Sequence, residues 1–205
     1  MPKGPTKRRP QTRARLLEAA LEAFAELGFG GATIDEICRR AGYTTGAYYS
    51  NFGSKDELFF ALFDQHAANV IDRVAHALEA APPSPEQIGE LFSEFGDEER
   101  RWFLVSTEFT LYAIRHPKAA RRLAEHDAKI RAELVTALRK LFTRMGRRPA
   151  VDIDELARMM IAAREGALLQ SFVEPEALPL GTLERTFLPI LFDGASAPGS
   201  AQETA

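Results

Sequence analysis

The chain has 205 residues, 45% of them hydrophobic and 27% charged, with a formal net charge of −3 and a single cysteine. That length can hold one small and one medium helical domain, and the lone cysteine excludes an internal disulfide framework. No apolar run is long enough to span a bilayer, and the basic start leads into an amphipathic stretch instead of an apolar signal core, so the expectation is a cytoplasmic protein without membrane contact. Residues 1–11 are polar, basic and proline-bearing and predict a disordered arm. Lys3, Lys7, Arg8, Arg9, Arg13 and Arg15 all precede the first acid, Glu18. Through Asp56, nine Lys/Arg stand against six Asp/Glu, a local charge of +3 that leaves −6 for the remainder. Such an arm would track phosphates or enter a minor groove, or else be a solvated leader. Leu17, Ala20, Leu21 and Phe24 then recur at i, i+3, i+4 and i+7, the apolar face of a first helix ended by Gly28.

Residues 33–58, TIDEICRRAGYTTGAYYSNFGSKDEL, carry the densest signal. Thr33 and Glu36 read as a capping box, the hydroxyl accepting from a backbone amide and the carboxylate reaching back. Ile34, Ile37, Cys38 and Ala41 form one apolar face, and Gly42 supplies the left-handed residue that ends the helix. Thr44 or Thr45 caps a short next helix through Asn51. Gly53 breaks it, and Ser54 with Glu57 opens a longer helix with a second capping box. Two short helices around a glycine turn, packed on a third, are the plan of a helix-turn-helix reader of double-stranded DNA. Residues 12–56 are the expected extent of this domain. Cys38 and Tyr48 are expected to pack inward, whereas Arg39 and Arg40 are either solvated or near the DNA backbone.

The run GFGGATIDEICRRAGYTTGAYYSNFGSKDELF resembles the N-terminal DNA-binding domain of the TetR family of bacterial transcriptional regulators. The matching elements are Gly28-Phe29, Thr33-Ile34, Ile37, Ala41-Gly42, Gly46, Tyr49, Phe52 and Lys55 through Leu58. The likeness is specific over residues 12–60 and architectural beyond them. It implies that the helix from about 44 to 51 enters the major groove. Thr33, Tyr49 and Lys55 would contact phosphates, Thr45, Ala47 and Asn51 would approach base edges, and Thr44 and Gly46 complete the DNA-facing set. Tyr43 and Asn51 depart from the family's usual small aliphatic and histidine, which leaves the operator sequence open.

Beyond the reader, helices are punctuated by prolines and glycines. One from Ser54 ends near Ala80, before PPSP. Ser84-Pro85 with Gln87 starts another, with proline in the first turn. Further helices are predicted from about 98 to Pro117, over 118–145, from Asp152 or Asp154 through Phe172, and over about 181–192, with residues 193–205 disordered. Strand-like alternation is absent, so the fold class is all-α: an N-terminal three-helix reader and, over 57–192, a helical effector-binding and dimerisation domain. Aromatics of the middle helices would line a largely apolar effector pocket. Phe92, Phe95, Trp102, Phe103, Phe109, Tyr112, Met159 and Met160 are the candidates, with Glu108, Arg115 or Arg164 as polar anchors. Plain core packing is the alternative for each, and a structural pairing along the helix is the alternative for Glu108.

The last two helices are unusually apolar. Leu156, Met160, Ala163, Ala167 and Leu168, with Phe187, Leu188 and Leu191, are expected either in the chain's own core or in a symmetric four-helix homodimer interface, the arrangement the resemblance also implies. A single three-helix reader makes few contacts; two copies one helical turn apart, roughly 34–36 Å, match a palindrome. His66, His76, His116 and His126 show no metal-ligand spacing, and the chain has neither a Gly-rich phosphate loop nor a Gly-x-Ser-x-Gly elbow. No enzyme, metal or cofactor is therefore expected. The expected function is sequence-specific transcriptional regulation, as a repressor released from double-stranded DNA by a small-molecule effector. The alternative is a DNA-binding regulator without small-molecule input.

Overall fold

The computed structural model describes residues 8–80, 84, 87, 90 and 97–198. Eight helices and two short strands follow one another among them: α1 (Arg8–Gly31), α2 (Ile34–Ala41), α3 (Thr45–Tyr49), α4 (Lys55–Ala80), α5 (Asp97–Arg115), α6 (Pro117–Arg144), β1 (Arg147–Pro149), α7 (Ile153–Val173), α8 (Thr182–Gly194) and β2 (Ser196–Pro198). The fold is the expected all-α one, with an N-terminal helix-turn-helix domain and a C-terminal helical domain. Within the region expected to begin at Ser84, Ser84 and Gln87 exchange the two hydrogen bonds of a capping box, at 2.8 and 3.3 Å. Phe92 and Phe95 lie outside the described residues.

Parts of both ends expected to be disordered have regular structure. Residues 8–11 belong to α1, whose first turn accommodates Pro10 because the amides there have no intrahelical acceptor to lose. At the other end α8 runs to Gly194, and β2 then pairs antiparallel with β1, Arg148 opposite Ala197. An Arg147–Asp193 ion pair at 2.6 Å adjoins this ribbon. Three-residue strands are too short to show alternation, so the sequence carried no sign of them.

The contacts divide the chain into two compact units, Met1–Ala68 with Asp97–His126 and Asn69–Gly96 with Asp127–Ala205. The boundary expected after residue 56 is therefore displaced, because residues 12–56 are too few to enclose their own core. In the first unit, α1 packs along α5 and against α2, and α2 against α3. Phe24, Phe29, Phe59 and Phe109 are fully buried there with Leu16, Ile37, Tyr48, Phe52 and Leu58. Phe109 stacks on Phe59 at 3.7 Å between ring centroids and meets Phe29 edge-on at 4.8 Å. Phe29 reaches this cluster because Gly28 interrupts α1 with φ 71°, ψ 162°, a conformation open almost only to glycine. A Cβ on Gly28 would also approach the Glu108 carboxylate to 3.2 Å. The expected helix end at Gly28 is thus a break inside α1. The second unit has its own core of Leu138, Leu141, Phe142, Ile153, Leu156, Ala157, Met160, Leu188 and Phe192.

Candidate nucleic-acid interface

The turn between α2 and α3 is built from local chemistry. The Thr33 hydroxyl accepts from the Glu36 amide at 3.2 Å and so opens α2. Glu36 does not reach back as a capping box requires. Its carboxylate takes Arg39 Nε at 2.8 Å, Arg39 Nη2 at 2.7 Å and Arg40 Nε at 2.7 Å, charge-assisted bonds that outcompete a neutral amide. Hydrogen bonds from Arg39 first, then Arg40, hold the Glu36 carboxyl at about 2. Gly42 ends α2 at φ 72°, its amide donating to Arg39 at 3.3 Å, while the Tyr43 amide donates to Cys38 at 3.0 Å. Cys38 and Tyr48 pack inward as expected, and burial pushes both side chains' pKa upward. The Tyr48 hydroxyl donates to the Ser54 carbonyl at 2.9 Å, fixing the chain between α3 and α4.

Thr44, not Thr45, caps α3, accepting from the Ala47 amide at 3.2 Å. A capping hydroxyl still has its own proton to donate, so capping leaves Thr33 and Thr44 one hydrogen-bond donor each. Thr45, Gly46 and Tyr49 are exposed on the short α3, Tyr49 at 59%. Ala47 is half-buried. The half-buried Asn51 turns its amide nitrogen back onto the Ala47 carbonyl at 2.8 Å, which leaves the amide oxygen as its outward group. Residues 42–54, GYTTGAYYSNFGS, contain no Lys, Arg, Asp or Glu, so the reader itself is uncharged.

Lys55 makes contacts within the chain that its expected role does not include. Its ammonium donates to the carbonyls of Phe29 at 2.6 Å and Ala32 at 2.9 Å and lies 4.6 Å from the Phe29 ring centroid. Two of its donors are thereby engaged at the C-terminal end of α1, and burial lowers its pKa. Nothing in the residues around Lys55 in sequence signals this clasp, since both acceptors lie more than twenty residues away. Two arginines that the expected reading set omits sit beside α3 instead. Arg9 donates to the Ser50 carbonyl at 3.3 Å, and the Arg13 guanidinium lies over Phe52 at 4.4 Å. Their only sequence signal is membership of the basic leader.

The expected effector residues are divided between the two units. Trp102, Phe103, Glu108, Phe109 and Tyr112 belong to the first unit, Met159 and Arg164 to the second. Phe109 is fully buried, Trp102 stacks on His66 at 4.5 Å, and Tyr112 contacts Phe29 at 5.0 Å, so the core reading accounts for these three. Phe103 is half-buried, and Glu108 lies against Gly28. Trp102 also borders a cleft of about 400 Å³ in the first unit, whose wall includes Glu18, Glu22, Gln65 and Arg101 and is more polar than the expected pocket. In the second unit Met159 is exposed and Arg164 half-buried. In the same unit, the Asp127 carboxyl is raised to about 6 by burial and then by the Glu165 charge, and burial raises Glu165 too.

The residues expected either in the core or at a dimer face divide by burial. Leu156, Met160, Ala167, Leu168 and Leu188 are buried within the single chain, while Ala163, Phe187 and Leu191 are half-buried. The apolar side chains left in solvent on these helices are Met159 at 43%, Leu169 at 53%, Val173 at 70% and Ile190 at 67%. Helix α7 is apolar around most of its circumference, so periodicity alone could not separate its inner face from its outer one.

A capped two-helix turn, with an uncharged reader exposed on an aromatic-cored scaffold, has the form of a helix-turn-helix DNA-binding domain. Residues 16–62 match the description "Bacterial regulatory proteins, tetR family" and residues 86–188 match "BetI-type transcriptional repressor, C-terminal". The chain belongs to the TetR family of bacterial transcriptional regulators. It is 34% identical over 89 residues to the HTH-type transcriptional activator FasR of Mycolicibacterium smegmatis, a match covering 43% of this chain and only 41% of that protein. It is 27% identical over 178 residues to the HTH-type transcriptional regulator BetI 2 of Chromohalobacter salexigens, covering 82% of this chain and 81% of that one. A transcriptional regulator from Saccharomonospora viridis, solved in complex with choline, superposes with a TM-score of 0.67 at 18% identity over 91% of this chain and 98% of that chain, a likeness of fold. Among the described residues no helix is long and apolar enough to cross a membrane.

Proposed function

We propose that the protein is a repressor that binds an inverted-repeat operator as a homodimer and loses affinity for it when a small molecule occupies its helical C-terminal domain. The observation that carries the dimer is the outer stripe of α7. Met159, Ala162, Gly166, Leu169 and Val173 follow one another at steps of three and four, the 3.5-residue spacing of a helix–helix seam. Ala162 and Gly166 at its middle would let a second backbone approach closely, and Ile190 on α8 extends the apolar surface. Dimerisation doubles the few contacts available to a five-residue reading helix. The choline complex of the Saccharomonospora regulator and the match to a BetI-type repressor C-terminal domain support a small-molecule input and a repressing role.

The proposed switch is thermodynamic. An effector that prefers the arrangement of the dimer unable to engage both half-sites lowers operator affinity by the ratio of its two affinities, with coupling of about 1–3 kcal/mol corresponding to roughly 5–150-fold. Selection of bound duplexes from a random pool, with sedimentation of the purified protein, tests the dimer and the operator together. A recovered palindrome and a dimer are the expected results. A monomer that selects a single half-site overturns this reading. Titration of the selected duplex against a library of small metabolites tests the input, and a library in which no compound shifts DNA affinity moves the protein to the class without small-molecule control.

A further inference from the structure

The reader's neutrality poses a question of affinity. Binding to duplex DNA draws much of its strength from cations that neutralise phosphates and release counterions. Residues 42–54 supply no cation. The cations flanking them are largely engaged elsewhere. Lys55 clasps the carbonyls of Phe29 and Ala32. Arg40 is held between Glu26 at 2.8 Å and Glu36 at 2.7 Å, and Arg39 is paired with Glu36 at 2.7 Å.

Arg9 and Arg13 differ from all three. They lie one turn apart on α1, both are exposed, and neither is ion-paired among the described residues. Both are brought to α3 and the residues that follow it by contacts that leave guanidinium donors available. Arg9 uses one nitrogen on the carbonyl of Ser50, the C-terminal cap of α3, and the Arg13 guanidinium carbon lies over the Phe52 ring, 4.4 Å from its centroid. Arg–aromatic stacking orients the guanidinium plane without consuming its hydrogen-bond donors. The three cations Lys3, Lys7 and Arg8 adjoin Arg9 in the sequence, and the first carboxylate after it is Glu18. This basic segment precedes residue 16, where the family match begins, so it is a feature of this chain outside the matched domain.

We infer that Arg9 and Arg13 on the first turns of α1 form a phosphate-gripping flank beside the uncharged reading helix, supplying the sequence-independent part of DNA affinity that α3 lacks. The inference rests on the DNA-binding reading of the reader. In it the two tasks are divided: α3 and Asn51 discriminate bases, while α1 neutralises the backbone next to them. Its partner is the duplex phosphate backbone, through planar two-nitrogen contacts of the kind guanidinium makes with phosphate oxygens.

The test uses the full-length protein and compares Arg9→Gln/Arg13→Gln and Arg9→Lys/Arg13→Lys with the wild type, measuring affinity against salt for the selected duplex and for an unrelated one. Each lost phosphate contact lowers the slope of log affinity against log salt by about 0.9, so the Gln pair should lower it by about 1.8 per subunit. Affinity should fall by the same factor on both duplexes, base preference should be unchanged, and the Lys pair should keep the wild-type slope. Arg9→Gln alone, which removes one exposed hydrogen bond and leaves the Phe52 contact intact, should lower the slope by about 0.9 per subunit and guards against misfolding of the double variant. An unchanged slope in both Gln variants, or an altered base preference, overturns the inference while leaving the regulator reading intact. A wild-type protein that binds no duplex at all overturns the regulator reading itself.

Discussion

Lys55 shows how a side chain's role depends on what folds against it. From sequence it stands at the start of a helix next to the reader, where a phosphate contact is the natural expectation. In the folded chain it joins the end of α1 to the start of α4 through two carbonyls. Lys55→Met should therefore lower stability by about 2–3 kcal/mol, because two buried carbonyls lose a charged donor, and reduce the thermal midpoint by roughly 4–10 °C. The salt slope of DNA binding should stay at its wild-type value. A variant with an unchanged midpoint and a reduced slope would return Lys55 to the phosphates. Asp127 offers a pH-dependent counterpart. Burial first, then the Glu165 charge, push its folded carboxyl up to about 6 from the ordinary 3.8, so the folded state holds its proton more tightly. The associated destabilisation is absent below about pH 4, grows as pH rises toward 6 and is complete above it. After allowance for solvent screening of a half-buried group, Asp127→Asn should raise the midpoint at pH 7 by about 2–4 °C, and the gain should vanish in melts below pH 4.

At the scale of elements, caps and glycines were the legible part of the fold. Thr33, Gly42, Ser54 and Asp152 each begin or end a helix where the sequence places them, because each acts on backbone groups within a few residues. What escaped the sequence depends on distant partners, as in the strand pair near Pro198 and the side of α7 that faces outward, or on a choice among local ones, as in the pairing of Glu36 with Arg39 and Arg40 in preference to its own cap. The reader was legible as a motif, and its inward Tyr48 was read correctly, yet the turning of Asn51 onto Ala47 was not, since an amide side chain has a choice of acceptors. Two outcomes follow at this scale. Thr44→Ala should cost about 1 kcal/mol and weaken DNA binding by fraying α3, whereas Thr44→Ser keeps the capping oxygen and should preserve both. Gly28→Ala should cost about 1–3 kcal/mol through its backbone conformation. Adding Glu108→Ala should restore only the part due to the 3.2 Å approach, so a double variant as stable as the wild type would refute the backbone explanation.

For the whole molecule, the outer stripe of α7 is the proposed seam of assembly. Leu169→Glu with Val173→Glu places charges on side chains exposed in the single chain, so the subunit should still fold. Sedimentation should report monomers, the midpoint should lose its dependence on protein concentration, and affinity for a palindromic duplex should fall to that of a half-site. A double variant that remains a dimer would place the interface on another surface.

The uncharged character of residues 42–54 reaches beyond affinity. Those residues include no carboxylate, imidazole, thiol or amine side chain that could change its charge near neutral pH, and burial pushes the Tyr48 phenol further up. Acidification of the cell would therefore alter how tightly the regulator grips its chromosome, through carboxylates elsewhere in the chain, but not the rank order of the sites it selects.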